Sequence, residues 1–118
     1  MSITSHSYGY NAELSTIDHY QGLGYKLLAH RYKCSAGEID LIVKNKDSIV
    51  FIEVKARTNP NHEEFITKKQ VNRCCATAEA FLAQYKCDIY NVNLRFDLAI
   101  VINGKLEKVI ENAWSCES

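Results

Sequence analysis

The chain is predicted to fold as a single α/β domain of the α+β kind, with one mixed β-sheet of about five strands flanked by helices. Two observations predict this class. Short apolar runs that are typical of strands occur together with two longer stretches in which apolar residues recur at helical spacing. Their order along the 118 residues is α-β-β-β-α-β-β, and a hydrophobic content of 47% is enough to bury one core without metal ions or disulfides.

Two stretches carry the helical pattern. In residues 10–21 apolar side chains recur near helical spacing, and the glycines that follow, Gly22 and Gly24, supply a stop signal. Residues 66–85 show the stronger pattern, with Thr67 as the predicted N-cap and an apolar stripe along one face. We therefore expect one helix before the strands and one between the third and fourth strands.

Five runs carry the strand pattern. They are residues 25–33, 37–44, 48–55, 94–102 and 105–113. Asn103 and Gly104, between the last two runs, are a two-residue hairpin signal. Residues 57–64 contain the chain's single proline and several turn formers, which predicts a loop or lid-like connection.

The second and third runs predict an antiparallel hairpin that brings charged side chains together. An even-length turn at residues 45–48 gives cross-strand partners numbers that add up to 93, so Asp40 lies opposite Glu53. The two-residue alternation of a strand then places Glu38 on the face of Asp40, and Lys55 on the face of Glu53. Three carboxylates and one amine are expected to converge.

A divalent cation would explain carboxylates at these positions. The apolar residues on both strands indicate burial. Like charges about 4.5–5.5 Å apart then repel unless a cation or a proton lies between them. The alternative is a solvated charged face on which Glu38 pairs with Lys55 for little stability. Spacing alone leaves both interpretations open.

The overall charge is not that of a strongly basic nucleic-acid-binding protein. Fourteen basic and 14 acidic residues balance, so any binding of nucleic acid depends on local patches. Two stretches without acidic residues supply such patches: Lys26, Arg31 and Lys33 in residues 23–34, and Lys68, Lys69 and Arg73 in residues 65–78.

The five cysteines have no C-x-x-C pair and no ordered spacing. This predicts reduced thiols, and it disfavours a disulfide framework, a zinc site or a redox or metal-storage protein built on thiols. Of the adjacent Cys74 and Cys75, one is expected to face the core as a small hydrophobic residue. The chain shows no signal-peptide pattern and no apolar run of membrane-spanning length, so a cytoplasmic protein without a membrane partner is expected.

The segments G-E-I-D-L-I and F-I-E-V-K-A-R resemble the PD-(D/E)XK nuclease superfamily, and more narrowly the small YraN-like family of predicted bacterial endonucleases. N-A-E-L, G-Y-K-L-L, F-I-T-K-K-Q, R-F-D-L-A-I and I-E-N-A-W follow that family's order and spacing over nearly the whole chain. The resemblance implies a restriction-endonuclease-like core and one nuclease-like domain over residues 1–118. Within that domain, residues 1–9 are expected to be disordered.

The resemblance also implies roles for individual residues. Asp40 and Glu53 are expected to ligate a metal ion, Lys55 to position or activate the attacking water, and Glu13 to complete the metal site. Mg²⁺ or Mn²⁺ suits such hard carboxylate oxygens, and the number of ions stays open. The expected nucleic-acid contacts are Lys26, Arg31, Lys33, Arg57, Lys68, Lys69, Gln70 and Arg73.

Three segments depart from the family pattern or lack a clear part in it. The run after the helix glutamine reads V-N-R-C-C instead of a run of arginines, and Arg31 stands where the family commonly has Asn. Both departures weaken the expected DNA binding. Arg95 and Asp97, in the R-F-D segment, are interpreted as a structural ion pair.

Together these features predict a metal-dependent endonuclease that hydrolyses phosphodiester bonds in DNA, with branched or damaged DNA as candidate substrates. The alternative is a catalytically inactive nuclease-fold module that binds nucleic acid or a protein partner. An enzyme that cuts a four-way junction symmetrically needs two sites, so a homodimer is expected if the substrate is of that kind.

Overall fold

A computed structural model of the chain describes residues 5–58, 66–85 and 91–116, with side chains from residue 10 onward. The elements follow in the order α1 (Ser5–Gly22), β1 (Lys26–Cys34), β2 (Gly37–Lys44), β3 (Ser48–Arg57), α2 (Lys68–Tyr85), β4 (Asn93–Ile102) and β5 (Lys105–Ile110). This order confirms the predicted α+β fold. Residues 1–4 of the predicted disordered start and residues 59–64 of the predicted lid lie outside the described residues, whereas residues 5–9 belong to α1.

The described strands form one mixed sheet in the order β1-β2-β3-β4-β5. β3 and β4 pair in parallel, and the other neighbouring strands pair antiparallel. Parallel neighbours need a crossover connection, and the segment that contains α2 supplies it. Antiparallel neighbours need only short turns, which is what the sequence offers between β1 and β2, β2 and β3, and β4 and β5.

The β2–β3 hairpin has the predicted register. Its partners, all adding up to 93, are Leu41 with Ile52, Ile42 with Phe51, Val43 with Val50 and Lys44 with Ile49. The turn is closed by a hydrogen bond from Asn45 N to the Ser48 carbonyl at 3.0 Å. The Asn45 side-chain oxygen also accepts the N–H groups of Asp47 and Ser48, at 2.9 and 2.7 Å. An asparagine that bonds its own turn in this way favours the even loop length on which the register depends.

The two helices cover opposite faces of the sheet. β3 alternates accordingly, because Ile49 and Phe51 pack in the cluster that includes α2, while Val50 and Ile52 pack in the cluster that includes α1. Glu53 continues the α2 side of the strand and contacts that helix. The sheet is thus buried on both faces along most of its length, and the charged end of β3 emerges beside α2.

Two local predictions at element ends are confirmed. Thr67 caps α2, since its hydroxyl accepts the N–H of Gln70 at 3.1 Å while the Gln70 side chain accepts the N–H of Thr67 at 2.9 Å. Asn103 and Gly104 link β4 to β5 with φ angles of 52° and 81°, both in the left-handed region that a two-residue hairpin requires.

The cysteine prediction was wrong in one respect. Cys75 and Cys116 form a disulfide with their Cα atoms 5.7 Å apart. Sequence spacing could not reveal it, because 41 positions separate the two residues and only the path of the chain after β5 brings them together. Cys34 and Cys74 are free, and Cys74 is the buried member of the adjacent pair, as expected for one of the two. Cys87 lies outside the described residues.

Candidate functional site

The site begins where strands β2 and β3 stop pairing. Their paired residues end at Leu41 and Ile52. One step further, the Asp40 side chain accepts the Val54 N–H at 2.8 Å through Oδ2. A carboxylate therefore takes a main-chain donor of β3 that continued strand pairing would have used. The two strands part at this point, and the opening exposes their charged ends to solvent.

Asp40 and Glu53 are half-buried and interact with each other. Loss of water raises the pKa of both carboxyl groups, and for Asp40 the nearby charges of Glu13 and Glu38 raise it further. The charge of Asp40 and a hydrogen bond to it likewise raise the pKa of Glu53. Two carboxyl groups forced together in this way disfavour being ionised at the same time unless a cation joins them.

Lys55 and Glu38 complete the predicted group of charges. The ammonium group of Lys55 lowers the pKa of both Asp40 and Glu53, but it does not cancel the effect of burial. Among the described residues no ion pair joins Glu38 to Lys55, which is the pairing that a merely solvated charged face would show. The charge of Lys55 thus acts on the two half-buried carboxyl groups.

Glu13 reaches the same region from α1. Its side chain is 10% exposed, and Oε1 lies 2.6 Å from His30 Nε2 and accepts the Arg31 Nε–H at 2.9 Å. The charge of Glu13 also acts on Asp40. The first helix therefore brings Glu13 near enough for its charge to act on Asp40, and two side chains of β1 hold Glu13 in that position.

A cleft of about 480 Å³ opens beside Glu53, between the β1–β2 turn and the first turns of α2. Its walls include the acidic residues Glu38 and Glu53 and three of the predicted nucleic-acid contacts, Lys33, Gln70 and Arg73. The cleft thus has both basic and acidic walls, and its exposed members are Lys33, Glu38 and Arg73.

The remaining predicted contacts are more scattered. Lys26 is the first residue of β1 and pairs with Lys44, at the opposite end of the strand from Lys33, roughly 20 Å away by strand rise. The structure therefore does not bring Lys26 to the site. Lys68 and Lys69 are exposed on the first turn of α2, and Arg57 ends β3.

Sequence reasoning missed two contacts of the acidic residues. Cys74 lies with its Sγ 3.5 Å from Glu53 Oε1, and burial raises the pKa of this thiol well above its usual range. Its position, four residues after Gln70, was the available signal, because residues at this spacing share a helix face. His30, which contacts Glu13, gave no signal beyond being next to Arg31.

Geometry alone does not complete a metal site in the described residues. No group of three or more His, Cys, Asp or Glu side chains among them is arranged to hold an ion. Asp40 and Glu53 form a pair, and Glu13 is engaged by β1.

Comparison with known proteins gives the family. The model of a family described as the uncharacterised protein family UPF0102 matches residues 12–101. The chain belongs to the UPF0102 family. A UPF0102 protein of Ruegeria pomeroyi is 38% identical over 112 residues, which cover 93% of this chain and 89% of that protein. A UPF0102 protein of Rhodopseudomonas palustris is 36% identical over 107 residues, covering 90% and 82%. One of Lachnoclostridium phytofermentans is 31% identical over 109 residues, covering 90% and 91%.

The UPF0102 match spans every predicted catalytic and metal-binding residue, from Glu13 to Lys55, together with α2. It ends at residue 101, before the turn at Asn103 and before Cys116. None of the described helices is both long enough and apolar enough to span a membrane.

The R-F-D segment of this UPF0102 protein forms the expected ion pair. Asp97 is completely buried and receives two hydrogen bonds from Arg95, each at 2.9 Å. The Tyr20 hydroxyl donates to the same carboxylate at 2.6 Å, and the N–H of Asn112 donates at 3.1 Å. The arrangement joins α1, β4 and the end of β5, so its role is structural.

Proposed function

We propose that this UPF0102 protein is a metal-dependent endonuclease that hydrolyses phosphodiester bonds in DNA. The observation that carries the proposal is the interaction of Asp40 with Glu53, near Lys55, where Glu53 lines a cleft whose walls also include Lys33 and Arg73. Buried like charges are costly for the fold unless a cation offsets them. The resemblance to PD-(D/E)XK nucleases supports the same assignment.

The two carboxylates fit a hard divalent cation. Mg²⁺ is commonly held by one or two protein carboxylates, with waters and substrate phosphate oxygens as its remaining ligands. Asp40 and Glu53 would hold Mg²⁺ or Mn²⁺, and a third protein ligand is not required. The bound ion would neutralise charge on the scissile phosphate and lower the pKa of a water molecule.

The protein's own residues would bind and orient the substrate. Lys33 and Arg73, which line the cleft, would bind the phosphates that flank the cleaved bond. The Lys55 ammonium, whose charge acts on both carboxyl groups, would orient the attacking water and stabilise the negative charge that develops on the phosphate. Asp40, held by the Val54 N–H, has a fixed orientation toward the site.

Cleavage of DNA in the presence of Mg²⁺ or Mn²⁺ is the direct test. The full chain is incubated with duplex, single-stranded and four-way-junction DNA, with chelator as the blank. Asp40→Asn and Lys55→Ala are each expected to lower the cleavage rate at least a hundredfold, on the order of what one charged catalytic group contributes. Asp18→Asn on α1 and Lys108→Ala on β5, both exposed and outside the site, serve as matched controls and should cleave at the parental rate.

Two outcomes would reject the proposal. One is an Asp40→Asn protein that still cleaves at the parental rate. The other is binding of DNA that falls steeply with salt, needs no divalent ion and leads to no cleavage with any of the three substrates. That result would favour the inactive nucleic-acid-binding module, because release of counterions from phosphates does not depend on a carboxylate-bound metal.

A further inference from the structure

Arg31 lies in line with the two carboxylates of the site. On β1 it stands between His30, which pairs with Leu41, and Tyr32, which pairs with Ile39. Within that register its position faces Asp40 on β2, and continuing the β2–β3 register one step beyond Leu41 and Ile52 sets Asp40 beside Glu53. One cation and two carboxylates thus occupy adjacent positions across three strands.

The backbone at Arg31 has an uncommon conformation. Its φ angle is 58°, in the left-handed region that residues other than glycine rarely adopt because it is sterically strained. The surrounding contacts hold the side chain in place: the guanidinium carbon lies 5.3 Å from the centre of the Tyr10 ring, and Nε donates to Glu13. The structure therefore keeps this cation beside the site despite the cost.

Arg31 already neutralises the carboxylate expected to be the third metal ligand. The hydrogen bond and charge of Glu13 raise the pKa of Arg31, and the charges of Glu38 and Asp40 raise it further. Within the described residues neither terminal nitrogen of the Arg31 guanidinium donates a hydrogen bond. The Arg31 side chain as a whole is 29% exposed, so part of it is open to solvent.

We propose, on the basis of the function proposed above, that Arg31 takes the place of a second metal ion in this site. The protein then binds one divalent cation, on Asp40 and Glu53, while Glu13 holds Arg31 and Arg31 presents its terminal nitrogens to an oxygen of the substrate phosphate. A guanidinium suits this role, because its planar set of N–H groups matches the geometry of phosphate oxygens.

The number of bound Mn²⁺ ions tests this inference without relying on activity. Free Mn²⁺ is measured by electron paramagnetic resonance during titration of the full chain. One ion per wild-type chain is expected, and none for Asp40→Asn. Arg31→Asn should bind two, because Glu13 then loses Arg31, keeps only its contact with His30 and becomes available as a ligand. Asparagine tolerates the left-handed backbone better than most residues, so this variant should fold.

Three further variants test whether the number of bound Mn²⁺ ions depends on Arg31 and Glu13 in particular. Arg73→Asn removes the same charge from the cleft without touching Glu13 and should still bind one ion. Arg31→Lys keeps a cation and should also bind one. The double variant Arg31→Asn/Glu13→Gln should return from two ions to one. Thermal unfolding of each variant shows that its fold is retained.

The failures of the two proposals differ. Two ions bound to the wild-type chain, or an unchanged count of one in Arg31→Asn, would overturn the role of Arg31 and leave the metal-dependent nuclease standing. A wild-type chain that binds no Mn²⁺ would overturn the metal site itself, and with it both proposals.

Discussion

Asp40 and Glu53 are carboxyl groups that the fold partly removes from water. Burial raises the pKa of both side chains above their ordinary values of 3.8 and 4.5. Without a metal ion, the native protein therefore keeps protons that the unfolded chain has already released. The contribution of these two carboxyl groups to folding stability is then largest below about pH 4 and falls as the pH rises from there to neutral, because these groups bind more protons in the native state than in the unfolded state over this range.

Replacing Glu53 by Gln should remove part of this loss of stability at neutral pH. In chelator at pH 7, Glu53→Gln is expected to raise the free energy of unfolding by about 1–3 kcal/mol, and the gain should shrink to nothing near pH 4. Urea denaturation at both pH values measures it. Glu79→Gln, an exposed acid on α2, is the control and should change neither value. A Glu53→Gln protein less stable than the wild type at pH 7 would contradict the assignment.

Asp97 shows the opposite case, a buried carboxylate whose charge the fold satisfies. Asp97→Asn is expected to lower the free energy of unfolding by about 2–4 kcal/mol, since it leaves the Arg95 guanidinium without its partner. Tyr20→Phe removes one hydrogen bond and should cost about 1 kcal/mol. Glu111→Gln, an exposed partner of Arg95 at 3.5 Å, is the control and should cost less than either. Equal losses in all three proteins would refute the buried ion pair.

At the scale of elements, the position of α2 depends on the turn between β1 and β2. Gly37 in that turn has a φ angle of 151°. A Cβ atom there would lie 3.1 Å from the Thr77 hydroxyl oxygen and 3.5 Å from the Arg73 Cβ, both on α2. The missing side chain lets the helix approach the turn, and this contact brings Arg73 and Cys74 to the cleft.

Gly37→Ala should therefore destabilise the protein and disturb the cleft. A loss of about 1–3 kcal/mol is expected from the backbone strain and the close contact with α2. Thermal unfolding measures it, with Gly22→Ala as the control, because a Cβ at Gly22 meets no atom within 4 Å. If Gly37→Ala and Gly22→Ala unfold at the same temperature, the position of α2 does not depend on the missing side chain at Gly37.

The β2–β3 register and the start of α2 could be predicted, because both depend on interactions between residues that are neighbours in the sequence. Asn45 closes its own turn and Thr67 caps its own helix, so the sequence contains the interactions that decide these features. The contact of Glu13 with Arg31 could not be predicted in the same way. It depends on how α1 packs against β1 and on an unusual φ angle, neither of which leaves a periodic signal in the sequence.

At the scale of the whole molecule, the segment after β5 returns to the sheet and to α2. The N–H of Ala113 donates to the Phe96 carbonyl at 2.7 Å, and the Trp114 ring lies 5.5 Å from the Phe96 ring. The Cys75–Cys116 disulfide then joins this segment to α2. Composition and the order of the elements predicted a single domain with one mixed sheet. The position of the C-terminal segment could not be predicted, because it depends on contacts with β4 and α2 that exist only in the folded chain.

The disulfide should contribute to stability by restricting the unfolded chain. Closing a loop between residues 41 positions apart is expected to stabilise the oxidised protein by about 3–4 kcal/mol. Cys116→Ser and Cys75→Ser should each lose this amount in urea denaturation without reductant, and wild-type protein in dithiothreitol should match them. Cys34→Ser removes a free, half-buried thiol and should keep the stability of the oxidised wild type. Wild-type protein that is equally stable with and without reductant would mean that the Cys75–Cys116 disulfide does not form in solution.

The same variants also show whether the disulfide affects the candidate site, because Cys75 adjoins Cys74, which contacts Glu53. The count of bound Mn²⁺ should stay at one if α2 is held by Gly37 and its core contacts alone.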